Sequence, residues 1–142
     1  SIHFPDYDAF EMYQIFEKIS GTEQLSVAEE ARALLRVHLA AIYEARQKEF
    51  GNGREVRNLF EDCTSNMAMR TIDLPADDPA SFSVIHAVDI PFPKPLMDNR
   101  VIRSLWATVQ SDAASDEERS NAIAKLQEVS AKSFPTAISH TG

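Results

Sequence analysis

The chain has little of several things, and each scarcity excludes a class of protein. Its 142 residues include one cysteine, Cys63, so no disulfide can form within the chain and a cytoplasmic setting is favoured. No apolar run approaches the roughly 20 residues that a membrane span requires. The net charge of −8 disfavours nucleic acids and anionic membranes as partners, because both attract basic surfaces.

Sequence motifs typical of catalytic sites and metal sites are also missing. The 4 histidines are scattered, and none stands at a metal-ligand spacing from another histidine, a cysteine or a carboxylate. There is no GxxxxGK[ST] phosphate loop and no strand ending in paired acids that would hold magnesium. No nucleophile–base arrangement can be argued either. The sequence therefore predicts neither a metal site nor catalytic residues within this chain.

What is present favours helices. Glycine is rare, with 4 residues, and alanine, leucine, glutamate and arginine are plentiful. Apolar residues recur at helical spacing, and capping boxes stand before several of these runs. The predicted helices run from about Asp8 to Ser20, from Ser26 to Glu49 or Phe50, from Asn52 onward, from about Leu96 to Gln110 and from Ser115 to about Lys132. We predict a mainly all-α fold, with Gly21 ending the first helix.

The later helices have predicted inward faces of their own. Their apolar positions are Val101, Leu105, Trp106 and Val109 in the fourth helix, and Ile123, Leu126 and Val129 in the fifth. Between the third and fourth helices, residues 74–95 contain five prolines and resist regular structure. Within them, Phe82–Val88 fits either a strand or a short helix, and its length does not decide between the two.

Two arginines near a glycine-flanked helix start are the main candidate site. Arg54 and Arg57 follow Gly51-Asn52-Gly53, at the helix end that already bears a partial positive charge. Backbone N–H groups and arginines at such an end can bind an anion such as phosphate. The other interpretation is a solvated face in which both arginines pair with nearby acids, and the spacing leaves both interpretations open. The nearby acids are Glu55, Glu61 and Asp62.

Three other residues have a structural and a functional interpretation. Met12 and Phe16 lie one turn apart on the first helix, where most such pairs are core residues. They gain a functional meaning if this helix faces the same ligand as Arg54. Cys63 lies on the apolar stripe of the third helix, which favours a buried, inert thiol over a nucleophile.

Three motifs resemble segments of AAA+ ATPases. Ile2–Tyr7 resembles the I-x-F-P-D-Y that follows the arginine-finger segment of these enzymes. Phe50–Glu61 resembles the F-G-N-[AG]-R-x-V-R-N-L-F-E of their CbxX/CfqX group, and Asn66–Arg70 resembles the group's N-Q-A-x-R continuation. That group includes red-type rubisco activases, a sporulation stage V ATPase and ATPases of type VII secretion. The resemblance covers about residues 2–74.

The resemblance implies a role for each candidate residue. Residues 1–74 would form the C-terminal helical lid of an AAA+ ATPase, with Arg54 as the sensor 2 arginine that reaches the nucleotide phosphates. Arg57 would be a second phosphate contact. Met12 and Phe16 would contact the adenine ring, with Gly53 close by. Residues 75–142 match no named segment and would form a connection and a helical extension that could pack on the lid.

The resemblance also implies what this chain lacks. Both Walker motifs, sensor 1 and the arginine finger would precede Ser1, so ATP and magnesium would be held mainly by a core outside this chain. The chain alone would neither hydrolyse ATP nor bind it tightly. Its partners would be that core, neighbouring subunits and a protein client that the oligomer remodels. The alternative is a non-catalytic helical module for protein interaction.

Overall fold

The computed structural model describes residues 7–45, 53–74 and 83–134. Within these residues the fold is mainly helical, as predicted, with five α-helices and two very short strands. The elements in chain order are α1 (Ala9–Thr22), β1 (Ser26–Val27), α2 (Glu29–Ala45), α3 (Gly53–Thr71), β2 (Val84–Ile85), α4 (Arg100–Gln110) and α5 (Asp116–Ser130). Two 3-10 helices, Ala87–Asp89 and Lys94–Leu96, lie between β2 and α4.

Helix α1 begins as predicted and ends later than predicted. The Asp8 side chain accepts a hydrogen bond from the Glu11 N–H, and the Glu11 carboxylate accepts one from the Asp8 N–H, which completes a capping box. The prediction that Gly21 ends the helix is wrong, because the helix continues through Gly21 to Thr22. The left-handed residue beyond the end is Gln24, at φ 60°.

Helix α2 starts later than predicted because the residues before it form a strand. Ser26 and Val27 pair in parallel with Val84 and Ile85, and the Ser26 N–H donates to the Ser83 carbonyl over 2.9 Å. A backbone N–H that pairs with a strand is not available to a helix cap, so the predicted box starting at Ser26 is wrong. The predicted end near Glu49 or Phe50 lies outside the described residues.

Helices α1, α2 and α3 share one core. The predicted apolar stripe of α3 is buried in full, and its residues are Val56, Leu59, Phe60, Cys63 and Met67. Phe60 packs edge-to-face on Phe16 of α1, with ring centroids 5.5 Å apart. Aromatic pairs of this geometry stabilise a core beyond the area that they bury. The predicted helix start at Asn52 falls outside the described residues.

The proline-rich connection is anchored to the bundle from residue 83 onward. Phe82–Val88 is neither one strand nor one helix: Val84 and Ile85 form β2, and the chain then turns into the Ala87–Asp89 3-10 helix. Ile85 and Ile90 are fully buried in the common core. Residues 83–90 therefore pack with α1–α3, and the division of the chain at residue 74 stays a prediction.

Helix α5 packs along α2, and helix α4 packs on α5. Trp106 of α4 is buried as predicted and packs edge-to-face on Phe92. Two other predictions about inward faces are wrong, because Val101 is 69% exposed and Val129 is 44% exposed. The buried positions are instead Ile102, Trp106 and Val109 in α4, and Ala122, Leu126 and Ser130 in α5. Leu105 and Ile123 are half-buried.

The two later helices are fixed by caps and by packing, of α5 on α2 and of α4 on α5. Ser115 and Glu118 form the predicted capping box of α5. At the other end of α5, Lys132 lies 3.3 Å from Glu44 of α2, so α2 and α5 run in the same direction. None of the helices in the described ranges is both long and apolar enough to span a membrane.

Candidate functional site

The predicted anion site lies at the start of α3, on the side facing away from the core. Helix α3 begins at Gly53, and Arg54 and Arg57 are both exposed. Three residues on a helix span about 300°, so the two guanidinium groups emerge from neighbouring positions of one face. The preceding Gly51 and Asn52 lie outside the described residues. The site therefore presents two arginines close to the helix end where free backbone N–H groups are expected.

Neither arginine is neutralised within the part of the chain that the structure describes. The ion pairs found there are Arg70–Asp89, Arg119–Asp116 and Lys132–Glu44. Neither arginine pairs with Glu55, Glu61 or Asp62 among these residues, but both are exposed, so the solvated face and the anion site both stay predictions. Two unpaired cations next to the positive end of a helix dipole repel each other, and a bound anion would relieve this repulsion.

The outer face of α3 changes character along its length. Towards the C-terminal end the cations give way to apolar side chains, with Met69 71% and Ile72 70% exposed. Met69 lies about 60° from Arg54 around the helix axis, and Ile72 follows directly after Thr71, the last residue of α3. Contiguous exposed apolar groups often mark an interaction surface. One uncovered helix face thus combines a cationic end with an apolar end.

Met12 and Phe16 lie on the opposite side of this helix, in the core. Both are 0% exposed, and Phe16 contacts Phe60 from the inner face of α3. This is the placement that the core interpretation of the pair predicts. A contact between these side chains and an adenine ring stays a prediction, and it requires that they be uncovered first.

A polar cluster that the sequence reasoning missed joins α3 to the connection. The Arg70 guanidinium donates two hydrogen bonds to the carboxylate of Asp89, of 3.0 and 2.9 Å, and a third of 3.2 Å to the Val84 carbonyl. Asp89 is 1% exposed and also accepts from the His86 N–H. Arg70 thereby covers the outer edge of β2, and we call the Arg70–Asp89 ion pair the clasp.

Amide side chains complete the anchoring of this segment. Asn66 of α3 donates to the Asp89 carbonyl over 2.9 Å. Gln110 of α4 donates to the carbonyls of Ala87 and Ile90. A sequence signal for the cluster did exist, because Asp89 is an acid within the apolar run 87–90 and must find a partner if that run is buried. The sequence does not show which of the 14 lysines and arginines is that partner.

Burial favours the neutral forms of two titratable side chains, His38 and Cys63. Burial lowers the pKa of His38 to about 4, and its Nδ1–H donates to the Pro91 carbonyl over 2.7 Å. Burial, assisted by the charges of Asp89 and Asp62, raises the pKa of the Cys63 thiol to about 12. A thiol that stays protonated is a poor nucleophile. No group of three or more potential metal ligands occurs in residues 7–45, 53–74 and 83–134.

Comparison with known proteins identifies the family. The family model of the AAA lid domain matches residues 8–99, which is more than half of the chain. The chain therefore belongs to the AAA lid domain family. The match includes α1, α2 and α3, the clasp and both 3-10 helices, and it stops at the residue that caps α4. No curated protein and no solved structure matches the chain.

Proposed function

We propose that this chain is the C-terminal lid of an AAA+ ATPase of the CbxX/CfqX group, in which Arg54 is the sensor 2 arginine. One observation supports the proposal above the others. In a chain of the AAA lid domain family, two exposed arginines stand unpaired, within the described residues, at the start of α3. The sequence around them resembles the sensor 2 motif of that group.

The chemistry of this role follows from charge. The γ-phosphate of ATP is strongly anionic, and a guanidinium group binds phosphate oxygens through paired hydrogen bonds. A phosphate held by an ATPase core would draw Arg54 towards it and move α3, together with the helices packed on α3, as one body. Arg57 is the second candidate contact. Loss of the γ-phosphate on hydrolysis would release this pull, so that the lid reports the nucleotide state.

The proposed partners follow from the same role. The core that supplies the Walker motifs would bind ATP and magnesium, and neighbouring subunits would contact the lid in an oligomer that remodels a protein client in the cytoplasm. The apolar end of the outer face of α3, at Met69 and Ile72, provides a surface for such a contact. Both side chains are about 70% exposed, as expected for residues that are covered only on assembly.

The test compares two arginines at helix starts in the assembled ATPase. We expect Arg54→Ala to lower the ATPase rate about tenfold or more, because a charge-assisted contact contributes about 1.5–3 kcal/mol. Arg100→Ala is the matched control, since Arg100 is exposed at the first position of α4 and has no proposed phosphate contact. An Arg54→Ala variant as active as the Arg100→Ala variant would exclude the sensor 2 role.

A second candidate function is a helical module for protein interaction without any link to ATP. It is favoured by α4 and α5, which lie beyond the residues that the lid family model matches. The two candidates differ in the gene segment that precedes Ser1: a phosphate-binding loop there supports the lid, and an unrelated segment supports the module. The lid proposal also expects no ATP hydrolysis by the chain alone, and turnover above background would contradict it.

A further inference from the structure

The chain turns back on the bundle immediately after α5, and this turn carries a buried aromatic ring. Helix α5 ends at Ser130, and the Phe134 N–H donates to the carbonyls of Ser130 and Ala131 over 3.1 and 3.2 Å. Phe134 is 4% exposed. Its backbone satisfies carbonyl groups at the end of the helix, so the position of the ring is fixed relative to α5.

The Phe134 ring packs on two aromatic rings of α1. Its centroid lies 6.3 Å from that of Phe10 and 5.9 Å from that of Tyr13, with interplanar angles of 70° and 80°. Edge-to-face pairs of this kind stabilise a contact beyond the apolar area that they bury. On the α2 side, the Arg36 guanidinium lies 5.1 Å from the centroid of the Tyr13 ring. We call the contact of Phe134 with Phe10 and Tyr13 the latch.

The latch joins two helices that otherwise pack mainly on different neighbours. Helix α1 packs on α2 and α3, whereas α5 packs on α2 and α4. The Lys132–Glu44 pair also holds the turn, but both side chains are open to solvent and such a pair contributes little. Helix α1 lies within residues 8–99 that the family model matches, and Phe134 lies outside them. A segment beyond the matched region therefore restrains the first helix within it.

The restrained helix carries the two predicted adenine contacts. Met12 precedes Tyr13 and Phe16 follows it by three residues, and both side chains are 0% exposed. Phe16 packs on Phe60 of α3. These side chains stay covered as long as α1 remains seated on α3. A ligand that contacts them must displace α1 first, and the latch opposes that displacement.

We infer that the latch is an autoinhibitory contact. With the Phe134 ring seated on Phe10 and Tyr13, α1 stays closed; when the ring leaves, α1 separates from α3 and uncovers Met12 and Phe16. A ligand that needs a minor conformation binds more weakly in proportion to the fraction of molecules in that conformation. The latch thus lowers the affinity of the lid for nucleotide. This consequence rests on the proposed function, whereas the opening of α1 does not.

Amide hydrogen exchange of the 142-residue chain tests the opening of α1. We expect Phe134→Ala to speed exchange of the α1 amides about fivefold or more relative to the α3 amides, since two aromatic pairs correspond to about fivefold to 100-fold. Phe10→Ala should act in the same direction, and Phe10 is 42% exposed, so its truncation leaves the core filled. Alanine favours a helix more than phenylalanine does, so faster exchange in this variant would not reflect helix propensity.

A matched control separates the latch from a general loss of stability. Phe92→Ala removes one edge-to-face pair, that with Trp106, at a position without a ring contact to α1 in the described ranges. It should leave the ratio of α1 to α3 exchange as it is in the parent chain. Equal acceleration of α1 and α3 by Phe134→Ala, or no acceleration of α1, would overturn the inference.

ADP titration of the assembled ATPase tests the autoinhibition. We expect Phe134→Ala to bind ADP about threefold or more tightly than the parent, and Phe92→Ala to bind it like the parent. A purely structural role of Phe134 would leave the affinity unchanged or lower it, and either result would overturn the autoinhibition. Absence of ADP binding by the parent ATPase would instead contradict the proposed function, and faster exchange confined to α1 would still support the latch as a restraint on α1.

Discussion

At the scale of single residues, the clasp is the most consequential contact in the described chain. Asp89 is an acid at 1% exposure, and burial of a charge is unfavourable unless partners compensate for it. The two bonds from Arg70 and the one from the His86 N–H provide that compensation. Substitution of either Arg70 or Asp89 leaves the other charge unpaired. The loss of stability should be larger when the charge left unpaired is the more deeply buried one, that of Asp89.

We expect Asp89→Asn to lower the free energy of unfolding by about 2–3 kcal/mol, because the Arg70 side chain is 25% exposed and water partly compensates for the lost partner. Arg70→Met should be worse, at about 3–5 kcal/mol, because it strands the carboxylate in the core. Urea unfolding measures both. Glu44→Gln, which breaks the exposed pair with Lys132, is the control and should change the free energy of unfolding by less than about 1 kcal/mol.

The second prediction at this scale concerns His38 and pH. The pKa of His38 is about 4 in the folded protein, against 6.5 for an exposed histidine. The unfolded chain therefore binds more protons between these values, and the His38 contribution to stability is full above about pH 6.5 and is lost as pH falls towards 4. The loss is on the order of 3 kcal/mol.

Urea unfolding at a series of pH values tests this prediction against two variants. His38→Asn retains an amide donor for the Pro91 carbonyl and has no titratable ring, so its stability should fall less between pH 6.5 and 4. His86→Asn makes the same replacement at an exposed position and measures the effect of the substitution itself. If the His38→Asn profile had the same slope as the parent, the buried neutral histidine would not be the cause.

At the scale of elements, α4 shows how a cap sets the buried face. The spacing of apolar residues predicts a start near Leu96 and an inner face that includes Val101. The structure begins the helix at Arg100, because Lys94–Leu96 forms a 3-10 turn and the Asn99 side chain accepts from the Ile102 N–H over 3.0 Å. The inner face then follows Ile102 and Trp106.

This assignment of faces makes a prediction about two adjacent residues. Ile102→Ala should lower the free energy of unfolding by about 2–4 kcal/mol, because Ile102 is 6% exposed and truncation leaves a cavity. Val101→Ala should change stability by less than about 0.5 kcal/mol, since Val101 is 69% exposed. Thermal or urea unfolding of the two variants measures this difference in stability. The opposite order would restore the face that the sequence alone suggested.

At the scale of the whole molecule, the question is whether the chain unfolds as one unit. The sequence predicts a lid at residues 1–74 and an extension at 75–142. In the structure α5 packs along α2 and α4 is bonded to the segment at Ala87 through Gln110. Contacts of this kind across the predicted boundary favour a single cooperative transition.

Two optical probes test this expectation in one titration. Trp106 is the sole tryptophan and lies in α4, so its fluorescence reports on the extension, while far-UV circular dichroism reports on all helices. We expect both signals to give the same urea midpoint. Separate midpoints would show that the division at residue 74 is a boundary between independently unfolding parts.

The sequence by itself determined the helical class, the caps of α1 and α5, and the buried stripe of α3. These features are local: they depend on residues within one or two helical turns of one another, so spacing and capping chemistry are enough to specify them. The motif that contains Arg54 and Arg57 is local for the same reason. Its exposure was compatible with the sequence but not required by it.

Only the tertiary structure decided which distant residues meet. Ser26 pairs with Val84 instead of capping α2, and Arg70 reaches Asp89 across the proline-rich connection. It also assigned Met12 and Phe16 to the core. These outcomes depend on the packing of helices far apart in sequence. No single-chain pattern of spacing encodes that packing, because each of these residues has several local alternatives of similar free energy.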